Sequence, residues 1–394
     1  MALRPRLTRT GTTVFLTVTM AAVMATVGSG TGVAGAAATA AAPARATATA
    51  GPAYAKPGPY AAGVTTLDLP DRKVEVWYPA KKKAAAGAVP ATFDLLDKVP
   101  PAIKALLPAG TDVTYTTDAY RDIPAAKKKG GFPLVLMAHG TAGYREQLAY
   151  LGEHLASWGF VVASPDILER SLGALLGSPP ANPNPDDVAV MRSTEALLRT
   201  ANTTTGGPLA GRVKKDVVAV TGQSAGGSTA IRFGSEPGVV SAIPISASGY
   251  NSQTGAYVTF PDAPLMFITG TADQIVPVAN VQGGFEKAPA PARLVTIDGA
   301  GHASVAGVCP IGGQGGLVGV ANNAGLPVPD SLKRLAADGC ANSTANPDPS
   351  WGPIRHAVTA ELRERFGIDK KPVGLDQKTM DEFAPVVVHY QERL

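Results

Sequence analysis

The chain has 394 residues, of which 45% are hydrophobic and 17% are charged, and its formal net charge is +4. This composition excludes a disordered protein, a coiled coil and a small disulfide scaffold, and it is sufficient for a hydrophobic core. The weak positive balance also argues against a nucleic-acid partner.

Residues 1–36 have the pattern of a secretory signal peptide. Three arginines precede an apolar stretch at 14–27, and the small residues at 34–36 suit a signal peptidase. We expect cleavage near Ala36 and a secreted, extracellular protein. No later stretch reaches the roughly 20 apolar residues of a membrane-spanning helix, so no integral membrane segment is expected after cleavage. Cleavage would leave 32 basic residues against 31 acidic ones.

Residues 37–56 form a tract of Ala, Thr and Pro without apolar periodicity, which predicts a disordered leader. Beyond it we expect one domain at 57–394. It begins with two strands around a Pro-Asp-Arg turn at 70–72, and from Phe132 short apolar runs alternate with helical stretches. The predicted strands lie at 63–68, 73–78, 133–138, 160–164, 217–221, 242–246, 265–269 and 292–297, and the predicted helices at 145–158, 187–201, from 225, and 353–366.

Continuous apolar strands separated by helices indicate a parallel sheet with both faces covered. The predicted fold class is therefore α/β, with a mostly parallel, doubly wound sheet entered by an N-terminal antiparallel hairpin.

Two segments, at about 92–108 and 303–350, do not fit the alternation and predict insertions. The first has apolar residues at helical spacing, which favours a helix packed on the core over a lipid-facing lid. The second contains Cys309 and Cys340, the only cysteines. In an exported chain this pair predicts a disulfide, whereas a zinc site or a catalytic cysteine is less well supported. We expect the second insertion to form a lid or rim over the functional site.

The functional groups of a doubly wound sheet lie just after the carboxyl ends of its strands. The strand at 217–221 runs into Gly222-Gln223-Ser224-Ala225-Gly226, a G-x-S-x-G motif that precedes a helix. Ser224 needs a tight, strained turn to raise its hydroxyl above the sheet, and the two glycines remove side chains that would collide. We interpret Ser224 as a nucleophile. The alternative is a glycine-rich turn that happens to contain a serine.

A serine hydroxyl needs a base to take its proton and a carboxylate to orient that base. His302 follows the strand at 292–297 in a glycine-rich loop, and it is the best placed of the five histidines. Asp273 follows the strand at 265–269 and is the predicted acid, with Asp298 as its competitor. The chain order of nucleophile, acid and base agrees with this motif.

The negative charge that forms on an attacked carbonyl oxygen needs hydrogen-bond donors. We expect one donor to be the backbone N–H of Ala225, at the positive end of the following helix. The other is expected to be the N–H of Thr141, in the loop after the strand at 133–138. The alternative for this His139-Gly140-Thr141 loop is a plain strand-to-helix turn.

At these residues the chain resembles the α/β-hydrolase superfamily. It is most similar to the plasma-type platelet-activating-factor acetylhydrolases and the bacterial dienelactone hydrolase-like proteins, over about 57–366 and including Val76-Trp77-Tyr78-Pro79. The resemblance implies an α/β-hydrolase fold and a serine esterase without cofactor or metal, in which Ser224, Asp273 and His302 form the triad. It also implies that the amide of Thr141 helps to bind the oxyanion.

Two departures limit what this resemblance implies. Related cutinases and polyester hydrolases carry a histidine before the nucleophile and a Gly-aromatic-Thr-Ala oxyanion loop. This chain instead has Gln223 before Ser224 and the sequence Gly-Thr-Ala-Gly at 140–143. Both departures weigh against polyester cleavage.

The sequence thus predicts a secreted serine hydrolase that cleaves small-molecule or polymeric carboxylic esters through an acyl-enzyme intermediate. A polyester, cutin-type or lipid esterase and a cell-envelope acyltransferase are alternatives, and a non-catalytic binding module on the same fold is the least favoured. Neither the acyl length nor the alcohol of the substrate follows from the sequence.

Overall fold

The computed structural model of the chain describes residues 52–183, 186–309, 316–340 and 348–394. The predicted signal peptide and residues 37–51 of the predicted leader lie outside these ranges. The end of the leader is packed, because the buried ring of Tyr54 contacts that of Trp158 edge-on at 4.8 Å and its hydroxyl donates to Asp369 at 2.6 Å. Ordered structure therefore begins before the predicted boundary at residue 56.

A large mixed sheet forms the centre of the molecule. The strands of the described residues are β1 (Ala61–Asp68), β2 (Lys73–Ala80), β3 (Pro90–Asp94), β4 (Thr114–Arg121), β5 (Phe132–Ala138), β6 (Val161–Pro165), β7 (Val213–Gln223), β8 (Val239–Ile245), β9 (Tyr250–Asn251), β10 (Ala256–Tyr257), β11 (Leu265–Gly270), β12 (Ala292–Ile297) and β13 (Val388–Arg393). Eleven of them pair in the order β13-β12-β11-β8-β7-β5-β6-β2-β1-β4-β3, and β9 pairs with β10.

The middle of the sheet, from β6 to β12, is parallel, whereas β1, β2 and β6 pair in antiparallel fashion. The helices are α1 (Lys82–Ala85), α2 (Pro101–Lys104), α3 (Ala149–Ser157), α4 (Leu172–Leu175), α5 (Asp187–Thr203), α6 (Ala225–Phe233), α7 (Val278–Lys287), α8 (Gly316–Asn323), α9 (Asp330–Ala337), α10 (Trp351–Arg365) and α11 (Gln377–Met380). The predicted α/β class, with its parallel sheet and N-terminal hairpin, is confirmed.

Both faces of the central strands are buried, which explains their continuous apolar sequences. Val135 and Met137 of β5 belong to the hydrophobic core that includes α3 and α10, while Leu134 and Leu136 belong to the core that includes α5, α6 and α7. Alternate side chains of a strand point to opposite faces, so helices must cover both faces of a strand that is apolar throughout.

The segment at 92–108 differs from its prediction. Instead of one helix it contains the end of β3, a 3-10 turn at Leu95–Lys98 and the short helix α2. Strand β3 lies at the edge of the sheet and β4 lies between it and β1, and most of the side chains of β4 are at least partly exposed. A strand with so many exposed side chains lacks the apolar run that marks a strand buried on both faces, so the sequence pattern did not reveal it.

The loops that carry the predicted functional residues leave the same edge of the sheet. In the parallel register Ala138 of β5 lies opposite Gly222 of β7, and Gly270 of β11 lies opposite Ile297 of β12. The loops after β5 and β7 are therefore neighbours, as are the loops after β11 and β12, and β8 separates the two pairs. In the described part of the chain, no helix is both long and apolar enough to cross a bilayer.

Candidate active site

Ser224 occupies the turn between β7 and α6. Its φ of 58° and ψ of −122° lie in a region that non-glycine residues rarely adopt, at a cost of about 1–3 kcal/mol. A Cβ atom on Gly222 would lie 2.4 Å from the carbonyl oxygen of Gly226, and one on Gly226 would lie 2.0 Å from that of Ala138. The turn therefore requires both glycines, and Ser224 lines a cavity at this edge of the sheet.

Asp273 and His302 lie within hydrogen-bond distance of each other. Nδ1 of His302 donates to Oδ2 of Asp273 at 2.9 Å, and both side chains are almost fully buried. The other carboxylate oxygen, Oδ1, accepts the backbone N–H groups of Ile275 at 2.9 Å and Val276 at 2.7 Å. Nε2 of His302 is buried and has no hydrogen-bond partner in the described part of the chain. With its proton on Nδ1, the ring presents Nε2 as an unoccupied proton acceptor.

The competing groups lie elsewhere. Asp298 contacts His389 at 3.3 Å, and both side chains are about half exposed. His154 and His356 are buried in α3 and α10, where each ring is bound to a backbone carbonyl oxygen. Only His302 of these histidines lines the cavity that contains Ser224.

The loop after β5 is held by His139. Nδ1 of this ring donates to the carbonyl oxygen of Gly140 at 2.8 Å, and Nε2 accepts the N–H of Ile167 at 2.8 Å. Burial, together with the nearby charge of Arg170, lowers the pKa of His139 to about 4, so the ring is neutral at neutral pH. The oxygen of Gly140 and the N–H of Thr141 are opposite ends of one planar peptide group. Holding that oxygen therefore also fixes the direction of the Thr141 N–H.

The two predicted oxyanion donors are free. Ala225 is the first residue of α6, and Thr141 lines the cavity. Within the described residues, neither backbone N–H has an acceptor. A carbonyl oxygen placed between them would satisfy both groups, and the helix start adds a favourable partial positive charge.

The cavity above these groups has a volume of about 150 Å³. Thr141, Ser224 and His302 lie along it, and most of its remaining wall is aliphatic. Both predicted insertions contribute to this wall, the first through residues between 95 and 107 and the second through residues between 303 and 340. Cys309 and Cys340 form the predicted disulfide. In the described ranges no three potential metal ligands converge.

Comparison with known families agrees with this architecture. The sequence profile of the dienelactone hydrolase family matches residues 118–308, just under half of the chain. Over these residues the chain is similar to the dienelactone hydrolases, and its fold is that of the α/β-hydrolases. A solved structure with a similar fold is the ferulic acid esterase from Streptomyces cinnamoneus, with a TM-score of 0.53 and 20% identity over 87% of this chain and 98% of that one. No curated protein matches the sequence.

Sequence reasoning missed Asp338, which connects two loops at this edge of the sheet. Its Oδ2 accepts the N–H of Gln274 at 2.9 Å and that of His302 at 3.2 Å, and its backbone oxygen accepts the N–H of Ala303 at 2.6 Å. Asp338 thus holds the loop that carries Asp273 next to the loop that carries His302. The disulfide at Cys340 anchors the segment two residues further on.

Gln147 and Gln223 form a second connection between the loops. Oε1 of Gln147 accepts the N–H of Gly140 at 3.0 Å, and its Nε2 donates to Oε1 of Gln223 at 3.3 Å. Nε2 of Gln223 in turn donates to the carbonyl oxygen of His302 at 3.2 Å. Gln223 was noted in the sequence only as a departure from the cutinases. In the structure it links the predicted oxyanion loop to the loop of the predicted base.

Proposed function

We propose that this hydrolase is a secreted serine esterase that cleaves carboxylic esters through an acyl-enzyme, with Ser224 as nucleophile, His302 as base and Asp273 as the orienting acid. One observation carries the proposal. Nδ1 of His302 is bound to Asp273 while Nε2 is buried without a partner, and the same cavity contains Ser224. The match to a hydrolase family supports the same class of reaction.

In the first half of the proposed reaction, Oγ of Ser224 attacks the ester carbonyl carbon and its proton passes to Nε2 of His302. The N–H groups of Thr141 and Ala225 bind the resulting oxyanion, and loss of one such donor typically costs about 3 kcal/mol of transition-state stabilisation. Asp273 stabilises the imidazolium without taking its proton. The C–O bond to the alcohol then breaks, and Nε2 gives the proton to the departing oxygen.

In the second half, water attacks the acyl-enzyme. Nε2 of His302 accepts a proton from the water, and a second tetrahedral intermediate forms on the same two N–H groups. The bond to Ser224 breaks, Oγ recovers the proton from Nε2, and the carboxylic acid leaves. No cofactor or metal is required for either half of this cycle.

Substitution of Ser224 tests the proposal, and α6 provides a matched control. Ser228 lies one turn further along the same helix and is exposed. We expect Ser224→Ala to abolish hydrolysis of p-nitrophenyl acetate and labelling by a fluorophosphonate probe, whereas Ser228→Ala retains both. Wild-type hydrolysis rates in Ser224→Ala would refute the assignment, and a wild-type protein that the probe does not label would indicate a non-catalytic module.

The same acyl-enzyme could pass its acyl group to an alcohol instead of water. Product analysis with an added alcohol acceptor distinguishes the two activities, because a transferase forms the new ester faster than the free acid.

Export is the second part of the proposal. A disulfide between Cys309 and Cys340 supports an oxidising compartment, since disulfides rarely persist in the cytosol. The predicted signal peptide at 1–36 supplies the route. Recovery from the culture medium of a protein that begins near residue 37 would agree with this proposal, and an intact N-terminus inside the cell would contradict it.

A further inference from the structure

The wall of the active-site cavity is aliphatic beyond the predicted catalytic groups. The segment that follows β3 supplies Leu95, Val99, Ile103 and Leu107. Helices α8 and α9 and their connection supply Val318, Leu326, Val328, Leu332 and Leu335. None of the described residues that line the cavity is acidic, lysine or arginine.

Leu95 and Val99 are buried, but several of the other aliphatic side chains do not serve mainly as core. Ile103, Leu107, Leu332 and Leu335 all remain partly exposed, although each lines the same cavity. On α9 the apolar residues line the cavity while Lys333 and its charged neighbour are exposed and do not. Partly exposed apolar groups that converge on one concave surface indicate a ligand that covers them.

The polar groups of the cavity have little capacity for a polar ligand. The side chains of Gln147 and Gln223 are bonded to each other and to the backbone. Tyr144 also lines the cavity, but its hydroxyl oxygen is buried within a cluster with Leu95 and Val113, where it has no hydrogen-bond partner among the described residues. A phenol or a charged group placed against this wall would lose its hydration without gaining a hydrogen bond.

We propose that the substrate of this enzyme is an uncharged ester with an aliphatic chain, which lies between the 95–107 segment and helices α8 and α9. This inference rests on the proposed function, because the carbonyl of the ester must reach Ser224. The chain belongs either to the acyl group or to the alcohol. Each buried methylene is expected to raise kcat/KM about fourfold, equivalent to about 0.8 kcal/mol.

Two ester series test the proposal and identify which group carries the chain. The first lengthens the acyl group from p-nitrophenyl acetate to p-nitrophenyl dodecanoate, and the second lengthens the alcohol from methyl acetate to dodecyl acetate. We expect kcat/KM to rise about fourfold per methylene in one series until the chain outgrows the cavity. The p-nitrophenyl esters of a hydroxycinnamic acid and of succinic acid should react more slowly than an aliphatic ester of similar size. If neither series rises, or if the phenolic or charged ester is preferred, the proposal is overturned.

Adjacent leucines provide a matched pair of variants. Leu107 lines the cavity, whereas Leu106 is 57% exposed and does not. We expect Leu107→Asn to lower the preference for the long chain over acetate by about tenfold, and Leu106→Asn to leave it unchanged. Leu332→Asn on α9 provides a second wall variant if Leu107→Asn does not fold. An unchanged preference in a folded wall variant would contradict the proposed position of the chain.

The outcomes separate this inference from the proposed function. If acetate esters are hydrolysed and the activity depends on Ser224, but chain length has no effect, then only the substrate class is wrong. If Ser224→Ala retains the acetate activity, the proposed function itself fails.

Discussion

The two carboxylate oxygens of Asp273 have different partners, and this makes Asp273→Asn an informative substitution. Oδ1 accepts two backbone N–H groups, from Ile275 and Val276, while Oδ2 accepts Nδ1–H of His302. In the variant we expect the amide oxygen to take the place of Oδ1, because the reverse orientation would set the NH2 group against two N–H donors. The amide nitrogen then donates to Nδ1 of His302.

This orientation moves the imidazole proton to Nε2, where it blocks transfer of the proton from Ser224. The productive tautomer returns only if the amide flips, which leaves two backbone N–H groups without acceptors at about 1–3 kcal/mol each. The total of about 2–6 kcal/mol corresponds to a loss of roughly 30-fold to 10⁴-fold in kcat. The side chains have the same shape, so the fold should be retained.

The assay is steady-state hydrolysis of p-nitrophenyl acetate, with thermal unfolding measured in parallel. Asp298→Asn is the matched control, since Asp298 lies four residues before the predicted base and contacts His389 at the surface. We expect Asp298→Asn to match the wild type. A folded Asp273→Asn with kcat within about threefold of the wild type would refute the tautomer argument.

Three further predictions concern the loops and the core. Asp338→Ala should lower kcat on p-nitrophenyl acetate by about tenfold or more with little change in KM, because it releases the loops of the predicted acid and base. Asp338→Asn should retain most of the activity, since its amide oxygen still accepts both N–H groups, and equal losses in the two variants would contradict this role. Cys340→Ser opens a link across a separation of 31 residues and should lower the free energy of unfolding by about 3–4 kcal/mol, measured by urea denaturation. Reductant should lower the free energy of unfolding of the wild type but not of this variant. A wild type whose free energy of unfolding does not change with reductant would argue against a structural disulfide. Burial raises the pKa of Glu153 to about 8. The folded state therefore keeps a proton on this carboxyl at pH values where the unfolded state has already lost it. The free energy of unfolding should fall as the pH rises from the ordinary pKa of a glutamate to about 8. Glu153→Gln should remove this loss and be more stable than the wild type by a few kcal/mol near pH 8, and a difference in unfolding free energy that does not change with pH would contradict the assignment.

The residues that sequence reasoning singled out share one property, which is that their signal is local. The strand of Val135 and Met137 is apolar throughout because both of its faces are buried. The turn of Ser224 requires glycines on either side because the backbone passes within 2.0–2.4 Å of where their Cβ atoms would lie. A loop residue after a parallel strand necessarily falls at the carboxyl edge of the sheet, so the neighbourhood of the predicted acid and base followed from the strand pattern alone.

Asp338 was not found because its role depends on partners far away in the chain. It bonds to Gln274, which is 64 residues away, and to His302, which is 36 residues away. An aspartate at a helix end has the same local sequence whether or not it meets two distant loops. Strand β4 was missed for a related reason, since a strand with mostly exposed side chains carries polar residues and resembles a loop.

The cavity wall and the predicted triad are only partly independent of each other. The side chains of the 95–107 segment line the cavity without bonding the loops of Asp273 or His302, so changes there should alter substrate preference first. The segment that ends at Cys340 does both, because Ala336 lines the cavity while Asp338 bonds the backbone of His302. A shift of α9 that accommodates a longer chain would therefore also strain the hydrogen bond that holds the predicted base. Coupling of this kind limits how far the α9 side of the wall can move, so the 95–107 side is expected to set the tolerated chain length.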